Sequence, residues 1–224
     1  MTETFYKVLG EGRTASQGTG SWPQARRWTP EVADPVLCES GWHLVTAEHL
    51  IGFLGYGPVV WTAEPHPDAV VVEGADKVVC SKARLLERTL WDDTRARLFA
   101  VDCAARVLHL VPEGEPRPAA AVAAARGFAL GTVTYDERAA ARDAAWAAAW
   151  AAAWDAAGAA ARDAAGAAAW AAAWDAAGAA AWDAARAAAG DAERTWQTAR
   201  LHEYLHVPDL EYLLLSAPDV EDPT

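Results

Sequence analysis

Three places in the chain bring together side chains whose types and spacing could do chemistry. His202-Glu203-Tyr204-Leu205-His206 is a literal H-E-x-x-H. On a helix that spacing puts two imidazoles on one face as zinc ligands, with the glutamate as general base of a hydrolase. The setting works against it. Pro208 ends a helix at once, only 18 residues follow His206, and Glu221 is the one late carboxylate at a workable distance. A zinc-dependent hydrolase on His202, Glu203 and His206 is therefore the weaker alternative.

Cys38 and His43, with Cys80 or His49, can be drawn as a zinc site, or the first two as a nucleophile and its base. Their spacings match no established ligand pattern, and a free cysteine usually packs as a small hydrophobe. Gly10-x-Gly12-x-x-Ala15 follows a strand like half of a dinucleotide fingerprint. Gly18, Gly20 and Pro23 leave no room for the helix that should come next. It reads instead as a long polar loop, a common carrier of binding. Any ligand of this part is assigned to Arg13, Trp22 and His43. No catalytic residue and no cofactor are assigned.

The elements that must position these residues fall into two parts. Residues 1–90 hold most of the Gly and Val and half of the Pro, and read as an α+β domain. Strands are expected at Phe5–Leu9, Val59–Trp61, Ala69–Glu73 and Lys77–Leu86, with a short helix over Thr46–Phe53. Asp92-Asp93-Thr94 is a helix start, because carboxylates and a capping oxygen suit orphan amides. A helix is predicted over Arg95–Leu110 and another over Ala119–Leu130, stopped by Gly131. Residues 91–206 read as a helical bundle. Residues 207–224 read as an acidic tail whose Leu213–Leu215 either docks as a strand or frays.

From Thr134 to Arg200 the only apolar residues are Ala, Trp and Tyr135. Counting in fours from Arg138 places Arg138, Arg142, Trp146, Trp150, Trp154, Gly158, Arg162, Gly166, Trp170, Trp174, Gly178, Trp182, Arg186, Gly190 and Arg194 in one register. Residues 143–162 and 163–182 differ only at Trp146/Gly166 and Arg162/Trp182, which marks a duplication. A slipping twelve-nucleotide repeat would generate the same pattern, since Trp, Gly and Arg can share codon endings. Ala is the best helix former, so the segment is helical. A four-residue step advances the register by roughly 40°, so one straight helix would carry Trp around most of its surface. Exposed aromatic surface of that extent marks an interaction site. The stretch is expected to break into antiparallel helices, turning within 155–166, and to bind through Trp146, Trp150, Trp154, Trp170, Trp174 and Trp182.

Arg95–Val107 (RARLFAVDCAARV), Arg117–Gly131 (RPAAAVAAARGFALG), the tetrads and Arg194–Leu205 (RTWQTARLHEYL) resemble an alanine-rich helical family. Its members are described as immunity proteins of bacterial toxin systems and recur in phage-like genomes. Cys38-Glu39-Ser40-Gly41-Trp42-His43 and Asp76-Lys77-Val78-Val79-Cys80-Ser81-Lys82 resemble a small phage-associated domain of unknown function, with the cysteine ahead of Gly-Trp-His instead of behind it. Neither resemblance brings a catalytic residue.

The charge bounds the partners. Nineteen basic against 31 acidic residues repel phosphate backbones and anionic lipid, so neither nucleic acid nor membrane is expected. The longest charge-free runs in the repeat, Ala144–Trp154 and Ala164–Trp174, are eleven residues each, too short to span a bilayer. Three cysteines without a C-x-x-C, and no signal peptide, fit a cytoplasmic protein. The resulting expectation is a non-enzymatic, immunity-like protein-binding module. Self-assembly through the Ala/Trp ridges is the structural alternative.

Overall fold

The computed structural model describes residues 4–15, 20–111, 114–144 and 191–218. The chain divides into two compact units, Met1–Asp92 and Asp93–Thr224. Together they are α+β.

The first unit is built on a six-stranded antiparallel sheet: β1 (Phe5–Leu9), β2 (Trp42–Thr46), β3 (Val59–Pro65), β4 (Val71–Glu73), β5 (Val78–Cys80) and β6 (Ala83–Arg88), in spatial order β4-β5-β2-β1-β3-β6. The opening strand is central, paired with β2 on one side and with β3 on the other. Between β5 and β6 the chain spends only Ser81 and Lys82. Three Cα steps reach about 11 Å at most, whereas four strand spacings on a flat sheet would be about 19 Å. The sheet must therefore curl. Leu9, Trp22, Leu44, Ala63, Cys80 and Leu85, drawn from five strands and one loop, form a single buried apolar cluster.

Three sequence expectations are corrected here. Lys77–Leu86 is two strands, because Ser81 breaks the run: its N–H donates to the Val70 carbonyl and its hydroxyl accepts from the Val70 N–H, both near 2.9 Å. Thr46–Phe53 is not an α-helix. Trp42–Thr46 is a strand, and Leu50–Tyr56 is a 3-10 helix. His49, Leu50 and Gly52 all donate three residues back, to Thr46, Ala47 and His49, which sets the tighter winding. The segment after Pro208 neither adds a strand nor frays within the described residues. It forms a helix, because Asp209 caps it by accepting from the Tyr212 N–H at 3.1 Å and Leu213 is fully buried.

The second unit contains α1 (Asp93–Arg106), α2 (Arg117–Ala129), a helical stretch over 135–144, α3 (Asp191–His206) and α4 (Leu210–Leu215). α1 stops four residues short of the expected Leu110. Its chain tightens into a 3-10 turn at Leu108–Leu110, with Val107 donating back to Ala104. Val101, Ala104 and Ala105 pack against Ala121, Val122 and Ala125, small side chains that let α1 and α2 approach closely. On another side of α1, Phe99 meets Tyr204 of α3 edge to face, ring centroids 6.2 Å apart. The tetrad tryptophans and the expected 155–166 turn lie outside the described residues.

Candidate functional site

The strand Phe-Tyr-Lys-Val-Leu alternates, so Lys7 shares a face with Phe5 and Leu9, the face that meets the apolar cluster. A cation is thus set where the pattern calls for a hydrophobe. Its ammonium sits 5.6 Å from the centroid of the Trp22 ring. Burial pushes its pKa down to about 8.

Around Lys7 opens a cavity of about 530 Å³. Residues from both faces of β1 line it, Lys7 on one and Tyr6 and Val8 on the other. The β1–β2 ladder pairs only Phe5 with Thr46 and Tyr6 with Val45, so the two strands part beyond that point. Aromatic rings supply much of the wall: Trp22, Trp42, Phe53 and Tyr56. Trp22 is held by its loop, its N–H donating to the Arg13 carbonyl at 2.9 Å and its own carbonyl accepting from Arg13 Nε at 3.3 Å. It meets Trp42 edge-on at 4.9 Å. Trp42 in turn is fixed by its indole N–H, which donates to the Pro30 carbonyl at 2.8 Å.

Opposite stands a polar corner. Lys77 lies over the Phe53 ring at 5.5 Å and donates to Asp76 Oδ1 at 3.2 Å. Burial lowers the Lys77 pKa, but Asp76 and the Cys38 sulfur more than offset it and leave the ammonium above its ordinary value. His43 Nε2 accepts the Cys38 N–H at 2.9 Å. Burial, then the charges of Lys7 and Lys77, hold its pKa down against a backbone hydrogen bond with Gly41. The imidazole is therefore neutral and pins the Cys38–Gly41 turn. That turn is tight: Cys38 has φ 63° and Gly41 φ 105°, and a Cβ at Gly41 would lie 2.6 Å from Val79 Cγ2. Only glycine fits there.

The sequence assigned the ligand to Arg13, Trp22 and His43. Trp22 and His43 line this cavity, and Arg13 acts one step away by bracing Trp22. Lys7, Lys77, Phe53 and Tyr56 were missed. A lysine in register with Phe5 and Leu9 was the available signal. Residues 38–43 and 76–82 meet in the sheet, since Trp42 pairs with Cys80 and His43 with Val79. Cys38 is exposed, whereas Cys80 is buried with its thiol pushed up to about 11 by desolvation. Cys38 and His43 touch through a backbone N–H, which uses the imidazole acceptor that a nucleophile pair would need.

In the helical unit, His202 and His206 lie side by side with centroids 4.5 Å apart and planes tilted by 46°, as their i,i+4 spacing allows. Glu203, the would-be base between them, instead accepts from Arg200 Nη1 at 2.6 Å. Among the described residues no group of three or more His, Cys, Asp or Glu side chains is placed to hold a metal ion.

The strongest polar cluster of this unit is structural. Asp102, wholly buried on α1, accepts from Arg200 Nε at 2.8 Å, from the Tyr204 hydroxyl at 2.7 Å and from Arg126 Nη2 at 3.2 Å. Arg200 also donates to the Leu213 carbonyl and to Ser216 Oγ, so α1, α2, α3 and α4 are joined through three side chains, Asp102, Arg126 and Arg200. Arg95 closes the end of α3 by donating to the carbonyls of Tyr204, Val207 and Pro208 at 2.9–3.2 Å. No helix of the described residues is long and apolar enough to cross a membrane. Comparison of the chain with protein families, curated proteins and solved structures finds no match.

Proposed function

We propose that the chain is a non-enzymatic binding protein, an immunity-like module of a phage or bacterial conflict system, acting in the cytoplasm. Its Ala/Trp segment forms the antiparallel part of a helical bundle and meets a protein partner through Trp146, Trp150, Trp154, Trp170, Trp174 and Trp182. The observation that carries this reading is how the segment is mounted. On its leading flank Ala141 packs against the α1–α2 cluster, and the Arg138 guanidinium lies 4.7 Å from the Phe128 ring centroid. On its trailing flank the buried Glu193 accepts from Arg106, at the end of α1, at 3.1 Å. Both flanks thus contact the same α1–α2 pair. A shared base lowers the ordering cost of binding for whatever it carries. The acidic balance of the whole chain disfavours nucleic acid as the partner.

The test compares the full chain with a variant in which the six tryptophans are alanine, a change that preserves helix propensity. Protein retained from host lysate is identified, produced separately and mixed with each form. Expected is a 1:1 complex with the parent chain and none with the variant. A complex that survives loss of all six rings overturns the reading. So does a parent chain that only associates with itself in light scattering, which would favour self-assembly.

A further inference from the structure

The cavity of the first unit poses a question independent of the helical segment: what neutralises Lys7? Lys7 is half-buried, and a lysine drawn even partly out of water usually has a carboxylate beside it. Acidic residues outnumber basic ones 31 to 19 in this chain, so carboxylates are not scarce. Yet no described carboxylate pairs with the Lys7 ammonium, which lies over the Trp22 ring. Glu39 is the sole carboxylate among the described lining residues, and it is exposed. Burial alone depresses Lys7, with no offset from any anion. A second ammonium, Lys77, faces the same space, and the charges of both lysines are felt at His43. Lys77 is already paired with Asp76 at 3.2 Å, so Lys7 is the cation of this space left without an acid partner among the described residues.

Its walls specify the rest of the occupant. The Trp22 ring is buried and already faces Lys7. Trp42 and Tyr56 are only partly covered, and each is braced from behind, Trp42 by Pro30 and Trp22, Tyr56 by Phe53 at 5.7 Å. Rigid, partly open rings beside an unpaired cation suit a flat aromatic group bearing a negative charge. The volume, about 530 Å³, falls in the range of small-molecule sites, roughly 300–1,000 Å³.

We propose that this cavity binds a small anion carrying a planar ring, with the charged group at Lys7 and the ring against Trp42 and Tyr56. His43 does not touch the charge. It is a positioning residue that holds the Cys38–Gly41 turn, and through it the rim next to Lys77.

Binding to the full-length protein is measured by calorimetry with four probes: adenosine 5′-monophosphate, indole-3-acetate, inorganic phosphate and adenosine. The two ring-bearing anions separate a phosphate from a carboxylate as the charged group. Phosphate removes the ring, and adenosine removes the charge. At least one ring-bearing anion should bind about tenfold or more tightly than either reduced probe. Lys7→Met should weaken that anion about tenfold or more while leaving the uncharged ring within about twofold. Trp42→Leu should weaken both ring-bearing probes. Lys77→Met, at the rim, is a second variant that reports on the cavity's charge without altering β1, and should weaken the anion severalfold. Saturating anion should also slow alkylation of Cys38, which lines the same cavity. The proposal is overturned if neither ring-bearing anion binds at millimolar concentration. It is equally overturned if inorganic phosphate binds as well as they do, or if Lys7→Met leaves their affinity unchanged.

Discussion

Arg200 Nη2 lies 2.7 Å from Asp102 Oδ2, and both side chains are all but sealed from water. One carboxylate on α1 thereby holds a guanidinium on α3 that reaches the backbone of α4. Breaking such a pair from one side costs far more than the pair itself is worth, because the survivor stays buried and unpaired.

Asp102→Ala should therefore destabilise the helical unit by roughly 3–5 kcal/mol in urea unfolding followed by circular dichroism. Arg200→Met on top of it should recover part of that loss but not all. Leu213 and Ser216 lose their donor as well. A cost under about 1 kcal/mol for the single change would show that the network does not hold the helices.

Arg95 offers a second test in the same unit. Its planar fork serves three carbonyls at the end of α3, groups that have no partner within the helix. A lysine in its place would bring one ammonium to a site shaped for a fork. Arg95→Lys should cost about 1–3 kcal/mol despite keeping the charge. Equal melting temperatures for the two proteins would refute the clamp.

Lys7 gives a prediction in pH. Its pKa is about 8 in the fold against 10.5 for the free side chain. Between those values the unfolded chain binds more protons than the native one, so native stability rises with pH. The cost of burying the ammonium is full below pH 8 and gone above 10.5. Lys7→Met should raise stability at pH 7 by on the order of 2 kcal/mol, and that advantage should fade as pH climbs through the window. A constant difference from pH 7 to 10.5 would mean that the lysine is solvated.

The three thiols should separate cleanly. Cys38 is exposed, Cys80 is held up to about 11 by burial, and Cys103 is pushed well above the ordinary value by burial and by the nearby Asp102 and Glu193. Ellman's reagent should modify one thiol quickly in the native protein and the other two only on unfolding. Fast loss of two or three would contradict the packing around β5 and α1.

Much of this architecture was legible in the residues. Phe5–Leu9 and Val59 onward announce strands by branched and aromatic side chains. Asp92-Asp93-Thr94 and Pro118 announce helices by their end chemistry. What escaped is decided over distance. Trp42–Thr46 carries the same aromatic and branched types at Trp42, Val45 and Thr46, but in so short a run it takes the flanking β1 and β5 to make it a strand. The break at Ser81 exists because Val70, eleven positions earlier, takes both of its polar groups. Pro208 and the acidic run looked like an ending, yet Asp209 caps a further helix and Arg200 draws it in. In the cavity the sequence offered Trp22 and His43 by type, as residues that often bind. It passed over Lys7, since a lysine in a strand ordinarily points to water, although its register with Phe5 and Leu9 put it on the apolar face.

The central place of β1 also bears on how the protein is made. β1 leaves the ribosome before either of its neighbours, β2 beginning at Trp42 and β3 at Val59. Until then Phe-Tyr-Lys-Val-Leu has two bare edges, the condition under which nascent strands stick to one another. A charge in the middle of such a run acts as a gatekeeper against that. Lys7 thus guards the newborn segment before it ever faces a cavity, and replacing it with a hydrophobe should lower soluble yield even as it steadies the finished fold.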